Sequence, residues 1–219
     1  MTGKKRIPRT TEVFQSVRDV VSLVACIDGL HKPVNEDETK FVGLSVTSRK
    51  REFAAGRNIA RECLARFGRG EAAIPVSESR APVWPKGLTG SISHSGHIAG
   101  AAACLVSDYK AVGLDIEEHK AVTADLFDSI LTTDDLAHAE EDMCSSLATR
   151  VFCCKEAIYK AVNPVIGEYL DFSDVSVRIS GGRFSAQCGS GKLSSELIAT
   201  GWGFLETDNN FVKALFLIK

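Results

Sequence analysis

The chain lacks most of the signatures by which an enzyme is recognised at sight. It has no Gly-rich phosphate loop and no dinucleotide fingerprint, which leaves a generic nucleotide-hydrolysing enzyme unsupported. Its seven cysteines (Cys26, Cys63, Cys104, Cys144, Cys153, Cys154 and Cys188) include no CxxC pair and no Cys/His metal spacing. That argues against a zinc site or a disulfide framework and fits a reduced, cytoplasmic protein. Long apolar runs are missing too. The stretch 17–27 is broken by Arg18 and Asp19, making it a poor signal peptide and far too short to span a bilayer. Charge excess is absent: the net charge is −2, so nothing global calls for nucleic acid or a membrane surface.

What is present is ordinary globular composition: 219 residues, 44% hydrophobic and 25% charged, enough to bury a proper core. After a loose basic tail at 1–12, a strand is expected at 20–27 and a polar loop at 29–38. A helix capped by Thr47 or Ser48 then runs to Phe67, with Phe53, Ala60, Leu64 and Phe67 on one stripe. Residues 77–90 are loop, 91–95 alternate, and 98–106 form a small-residue run suited to a buried strand. A turn at 108–110 leads into an antiparallel partner strand at 112–117. Helices follow at 123–130, 133–141 and 147–162, the last ended by Asn163-Pro164. Strands at 175–179, 184–187, 197–204 and 211–218 complete the chain, with a hairpin signal at Asp208-Asn209-Asn210. The order predicts an α+β fold of two similar α+β halves packed together, 1–110 and 111–219.

Several residues do not fit a plain core-and-surface pattern. In the strand Val112-Gly113-Leu114-Asp115-Ile116-Glu117, the apolar residues point one way and Gly113, Asp115 and Glu117 the other. The two carboxylates are about 6–7 Å apart at Cα. That is a solvated acidic edge, or a pair of oxygen donors for one hard cation. On the first long helix Arg57 lies about 40° from Phe53, with Arg49 to the other side and Arg61 one turn on. Such guanidiniums snorkel, pair with Glu52 and Glu62, or meet an anion. His94, between two serines, can donate to a phosphate. Glu156 and Lys160 are a turn apart on the second long helix, and Lys155 lies near its core stripe of Val151, Cys154, Ile158 and Val162.

Five blocks, in order, carry a resemblance. They are Arg49-Lys50-Arg51-Glu52-Phe53-Ala54-Ala55-Gly56-Arg57, Arg80-Ala81-Pro82-Val83-Trp84-Pro85, Gly90-Ser91-Ile92-Ser93-His94-Ser95, the strand from Val112 to Glu117, and Phe152-Cys153-Cys154-Lys155-Glu156-Ala157-Ile158-Tyr159-Lys160. Together the set resembles the 4′-phosphopantetheinyl transferases of the larger surfactin- and enterobactin-synthetase type. Phe152 stands where many relatives carry tryptophan.

The resemblance implies a pseudo-twofold pair of α+β subdomains in one chain, acting as a monomer, with coenzyme A as co-substrate in the cleft between them. It implies transfer of the 4′-phosphopantetheine arm to a serine of an apo acyl or peptidyl carrier protein, releasing 3′,5′-ADP. Asp115, Glu117 and Glu156 are expected to meet at one Mg²⁺, or Mn²⁺ in its place, with Glu156 also the general base. Lys155 and Lys160 are expected beside the pyrophosphate. Arg49, Arg57, Arg61, Ser93 and His94 are expected around the 3′-phosphate and its neighbours, and Arg80, Ala81 and Pro82 along the adenine. Two other readings stand beside this one: a module that binds CoA or carriers without turnover, and another Mg²⁺-dependent enzyme acting on nucleotides.

Overall fold

The first half of the chain closes around one antiparallel sheet and the second half around another. The computed structural model describes residues 10–28, 30, 35–39, 46–119, 121–137, 139, 144–189 and 191–219. Most of the expected basic tail and polar loop lie outside them. The first half runs β1 (Thr11–Glu12), β2 (Val20–Cys26), α1 (Glu36–Thr39), α2 (Thr47–Ala65), β3 (Leu88–Ser95) and β4 (Ile98–Leu105), its strands ordered β1-β2-β4-β3. The second runs β5 (Ala111–Glu118), α3 (Phe127–Ile130), α4 (Thr133–Ala137), α5 (Ser145–Ile166), β6 (Val175–Ser180), β7 (Arg183–Cys188), α6 (Ser194–Ala199), β8 (Gly201–Thr207) and β9 (Phe211–Ile218). Its sheet has the order β5-β9-β8-β7-β6.

The strands alternate two apolar faces, which makes a stack of helix, sheet, sheet and helix. Leu23, Ala25, Ala99, Ala101 and Ala103 pack under Ile59, Cys63 and Leu64 of α2. On the other face Val20, Ala102 and Cys104 meet Val112, Leu114, Leu215 and Leu217 of the second sheet. The far side of that sheet presents Val212, Ala214, Phe216 and Ile218 to Cys154, Ala157, Ile158 and Ala161 of α5. Every residue of β9 is buried, because both of its faces are covered. Burying each large side chain there contributes about 1.5–3 kcal/mol. Where α5 crosses β5, a Cβ on Gly113 would lie 1.9 Å from the Ala157 carbonyl oxygen. The helix can sit that close only over glycine.

Four sequence expectations change. β5 pairs with β9, not β4; β4 and β5 belong to different sheets and meet face to face through Cys104, Val112 and their neighbours. The second long helix passes Pro164 and stops at Gly167, whose left-handed backbone (φ 75°) turns its N–H back to Asn163 O at 2.7 Å. The expected strand over 197–204 is α6 followed by β8. Finally, α2 starts after Val46 with no side-chain cap, and its buried stripe centres on Ala55, Ile59, Cys63 and Leu64, with Phe53 at its margin.

Candidate active site

β3 and β5 are the facing edges of the two sheets and are joined by side chains instead of a backbone ladder. Period-two alternation aims Ser91, Ser93 and Ser95 at β5, while Ile92 reaches α2, where a Cβ on Gly56 would lie 2.6 Å from its Cγ2. Ser93 Oγ donates to Asp115 Oδ1 at 2.9 Å, and Ser95 Oγ donates to Glu117 Oε2 at 3.2 Å. From α5, Lys160 Nζ donates to the same Asp115 Oδ1 at 2.5 Å and to Ser93 Oγ at 3.1 Å. Thus three elements from both halves converge on Asp115, which is 2% exposed.

The site is short of positive charge. Burial, then the charge of Asp115, push the Glu117 carboxyl up to about 7 against the opposing pull of Ser95 and Lys160. Glu156 is raised as well, by burial first, with Lys160 opposing and Asp115 adding. Burial alone would depress the Lys160 ammonium, but the Asp115 carboxylate, with Glu156 behind it, leaves its pKa above the ordinary value. Asp115 Oδ2 is buried with no hydrogen-bond partner, the costliest state for a carboxylate oxygen. Even so, among the described residues no three His, Cys, Asp or Glu side chains form a metal-holding group. Lys160 occupies one Asp115 oxygen, and Glu156 acts on the pair through its charge. The donor set suits a hard cation: all oxygen, excess negative charge and one orphaned oxygen.

The basic side lies around the start of α2. Arg49 Nη1 donates to His94 Nε2 at 2.6 Å and to Glu52 Oε2 at 3.4 Å. Burial, with Arg49 and Lys160 nearby, holds His94 below its ordinary pKa, although Glu52 and Asp115 oppose this. Arg57 is buried over the Phe53 ring, 3.7 Å from its centroid, and its described hydrogen bond is a long one, 3.4 Å, to Ile74 O. Burial draws its pKa down to about 10, with Glu38 opposing and Arg49 and Arg61 adding. A guanidinium so desolvated and so lightly bonded favours an anion.

Arg61 departs from expectation. Its Nη1 grips both oxygens of Glu38 at 2.8 and 2.9 Å, and Nη2 reaches Asn58 Oδ1 at 3.1 Å. Glu38 in turn accepts the Ile74 N–H at 2.7 Å. Arg61 is therefore a tether between α1, α2 and the chain at Ile74. Neither Glu38 nor this tether had any local signal, since the partners are 23 residues apart.

Arg80, Ala81 and Pro82 form one wall of a cleft of about 300 Å³ whose lining also includes Trp84, Ser91, Tyr159 and Lys160. Arg80 has a left-handed backbone (φ 67°), a strain on the order of 1–3 kcal/mol for a non-glycine residue. The turn is held by Ser77 N–H to Ala81 O at 2.9 Å and Arg80 N–H to Ser77 O at 3.0 Å.

Lys155 is the clearest correction. Its Nζ donates to Ile130 O at 2.7 Å, Asp135 Oδ2 at 2.7 Å and Phe172 O at 2.9 Å, which uses all three protons. Asp135 also accepts Val177 N–H at 2.6 Å and Thr132 N–H at 2.7 Å. No proton of Lys155 is left for a phosphate. It ties α3, α4 and the start of β6 to α5 beside Glu156. Asp135, the residue that decides this, lay unnoticed in an acidic helical turn.

An acidic cluster at the seam of two α+β halves, with Lys160 joining it to the cleft and a basic cluster at the start of α2 close by, is an arrangement suited to a phosphorylated ligand. Residues 37–104 match the 4′-phosphopantetheinyl transferase N-terminal domain, and residues 111–213 match the 4′-phosphopantetheinyl transferase superfamily. The 4′-phosphopantetheinyl transferase Npt of Nocardia iowensis is 31% identical over 173 residues, covering 75% of this chain and 74% of that protein. The 4′-phosphopantetheinyl transferase PptT of Mycobacterium tuberculosis is 31% identical over 143 residues, 64% of this chain and 63% of its own. Enterobactin synthase component D of Escherichia coli O157:H7 is 40% identical over 118 residues, 52% of this chain and 54% of that one. The structure of holo-[acyl-carrier-protein] synthase from Thermotoga maritima aligns with a TM-score of 0.40 at 20% identity, covering 50% of this chain and 62% of that one. The chain belongs to the 4′-phosphopantetheinyl transferase superfamily.

Proposed function

We propose that the chain transfers the 4′-phosphopantetheine arm of coenzyme A to a serine of an apo carrier protein. The serine oxygen attacks the β-phosphorus of CoA, the bond to the 3′,5′-ADP oxygen breaks, and the serine proton passes to Glu156. Burial raises its pKa above the ordinary carboxylate value, which makes it a stronger proton acceptor than a solvated carboxylate. Asp115, Glu117 and Glu156 would hold a Mg²⁺, or Mn²⁺, and the bound ion would supply charge neutralisation at the pyrophosphate. Lys160 offsets the charge that gathers on the departing 3′,5′-ADP. Arg49, Arg57 and His94 receive the 3′-phosphate, Ser93 lies beside the pyrophosphate, and the Arg80-Ala81-Pro82 turn borders the adenine. Because both halves contribute to the site, the chain acts as a monomer; its seven free thiols fit the cytoplasm.

The observation that carries this reading is the meeting of Ser93, Asp115 and Lys160, one side chain each from β3, β5 and α5, at the seam of the two halves, where Lys160 also lines the cleft. The test is incubation with CoA, Mg²⁺ and a panel of apo acyl and peptidyl carriers, followed by intact-mass measurement. A gain of one phosphopantetheine on a carrier is expected. CoA binding with no mass change on any carrier would reduce the protein to a binding module.

A further inference from the structure

We propose that Ser95 is a positioning residue that fixes the Glu117 carboxylate as a metal donor, the last rung of a serine ladder joining the two sheets. The proposal rests on the reading of Asp115 and Glu117 as metal ligands. Ser91, Ser93 and Ser95 leave β3 on one side at every second residue. They donate in step to Leu114 O at 3.4 Å, Asp115 Oδ1 at 2.9 Å and Glu117 Oε2 at 3.2 Å.

Each rung differs in what it holds. Ser91 holds backbone, and Ser93 shares Asp115 with Lys160. Among the described residues, Ser95 makes the one hydrogen bond to the Glu117 side chain; Asp115, Lys160 and Glu156 act on that carboxylate through charge. Without the rung, Glu117 would swing away from a repelling Asp115.

Ser95 is itself held rigidly. It opens the turn between β3 and β4, where Gly96 has φ 54° and a Cβ would lie 2.1 Å from Glu118 Oε1. The carbonyl oxygen of the next residue, His97, accepts the Ile27 N–H at 2.8 Å, and the His97 ring packs edge-on to Phe211 at 5.2 Å. The hydroxyl is thus placed by the first half of the chain against a carboxylate of the second. Partners of this outer kind orient ligands and commonly account for about 10–100-fold in metal affinity.

Binding of Mn²⁺ measured by electron paramagnetic resonance, with 3′,5′-ADP present, provides a readout independent of turnover. Ser95→Ala should weaken Mn²⁺ binding about tenfold and raise the apparent KM for Mg²⁺ while leaving kcat at saturating Mg²⁺ near that of the unmodified chain. Ser95→Thr, which keeps the hydroxyl, should restore affinity. Equal Mn²⁺ affinity in Ser95→Ala and the unmodified chain overturns the positioning role, even if Ser95→Ala melts earlier. An unmodified chain that takes up no Mn²⁺ overturns the metal reading and this proposal with it.

Discussion

Replacing Lys155 by methionine separates two roles for this residue, chemistry at a phosphate and structure inside the protein. The side chain is 2% exposed and its Asp135 partner 1%. Removing the ammonium leaves the Asp135 carboxylate buried against two backbone N–H donors, with its charge unmatched. Breaking a buried pair in this way costs about 3–5 kcal/mol, which for a chain of this size lowers Tm by roughly 6–20 °C. Asp135→Asn should cost a similar amount. The double variant should lose less than the sum of the singles, with a coupling of about 0.5–3 kcal/mol, because an Asn–Met pair carries no stranded charge. Urea titration and thermal melts give the stabilities, and carrier loading well below Tm gives kcat. Turnover should fall less than about tenfold, from loosening around Glu156. The reasoning is refuted if Lys155→Met melts with the unmodified chain yet loses about a thousandfold in kcat, the mark of a lost electrostatic catalyst.

Gly113→Ala would drive a methyl into the Ala157 carbonyl oxygen at 1.9 Å. With backbone on both sides a loss of about 3 kcal/mol or more is expected, read by urea titration; a loss under 1 kcal/mol would mean α5 does not cross there. Arg49→Ala and Arg57→Ala should each raise KM for CoA about 10–100-fold, the worth of a charged hydrogen bond, and barely affect 3′-dephospho-CoA. Arg61→Ala, which frees Glu38, should instead lower Tm and treat both substrates alike. Burial pushes the thiols of Cys63 and Cys104 up to about 12. Their folded pKa values are raised, so their contribution to stability is full below the unfolded pKa of about 8.5 and fades as pH climbs toward 12, at about 1.4 kcal/mol per unit for each thiol. Urea melts at pH 8 and 10 should therefore show a smaller loss in a Cys63→Ala/Cys104→Ala variant than in the unmodified chain. The exposed Cys26 should react first with a thiol reagent.

Periodicity found nearly every element, and spacing found the acidic strand, because both depend on neighbours within a turn or a pleat. The alternation of Val112, Leu114 and Ile116 against Gly113, Asp115 and Glu117 holds residue by residue in β5. The stripe of Val151, Cys154, Ile158 and Val162 is the buried face of α5. The misplaced features depended on distant partners. A strand cannot announce which sheet it will join, so β5 was expected on β4 and is found on β9. The short apolar run Leu197-Ile198-Ala199, at the end of α6, satisfies a helix as well as a strand until packing chooses.

Local chemistry alone determined that acidic, basic and hydroxyl side chains would be offered in the right order along the chain. Tertiary structure decided how each was used. It sent Arg61 to Glu38 and Lys155 to Asp135, and kept Lys160 for Asp115 at the seam. A charged side chain leaving water must find an opposite charge. Which one it finds depends on the folding of segments tens of residues away.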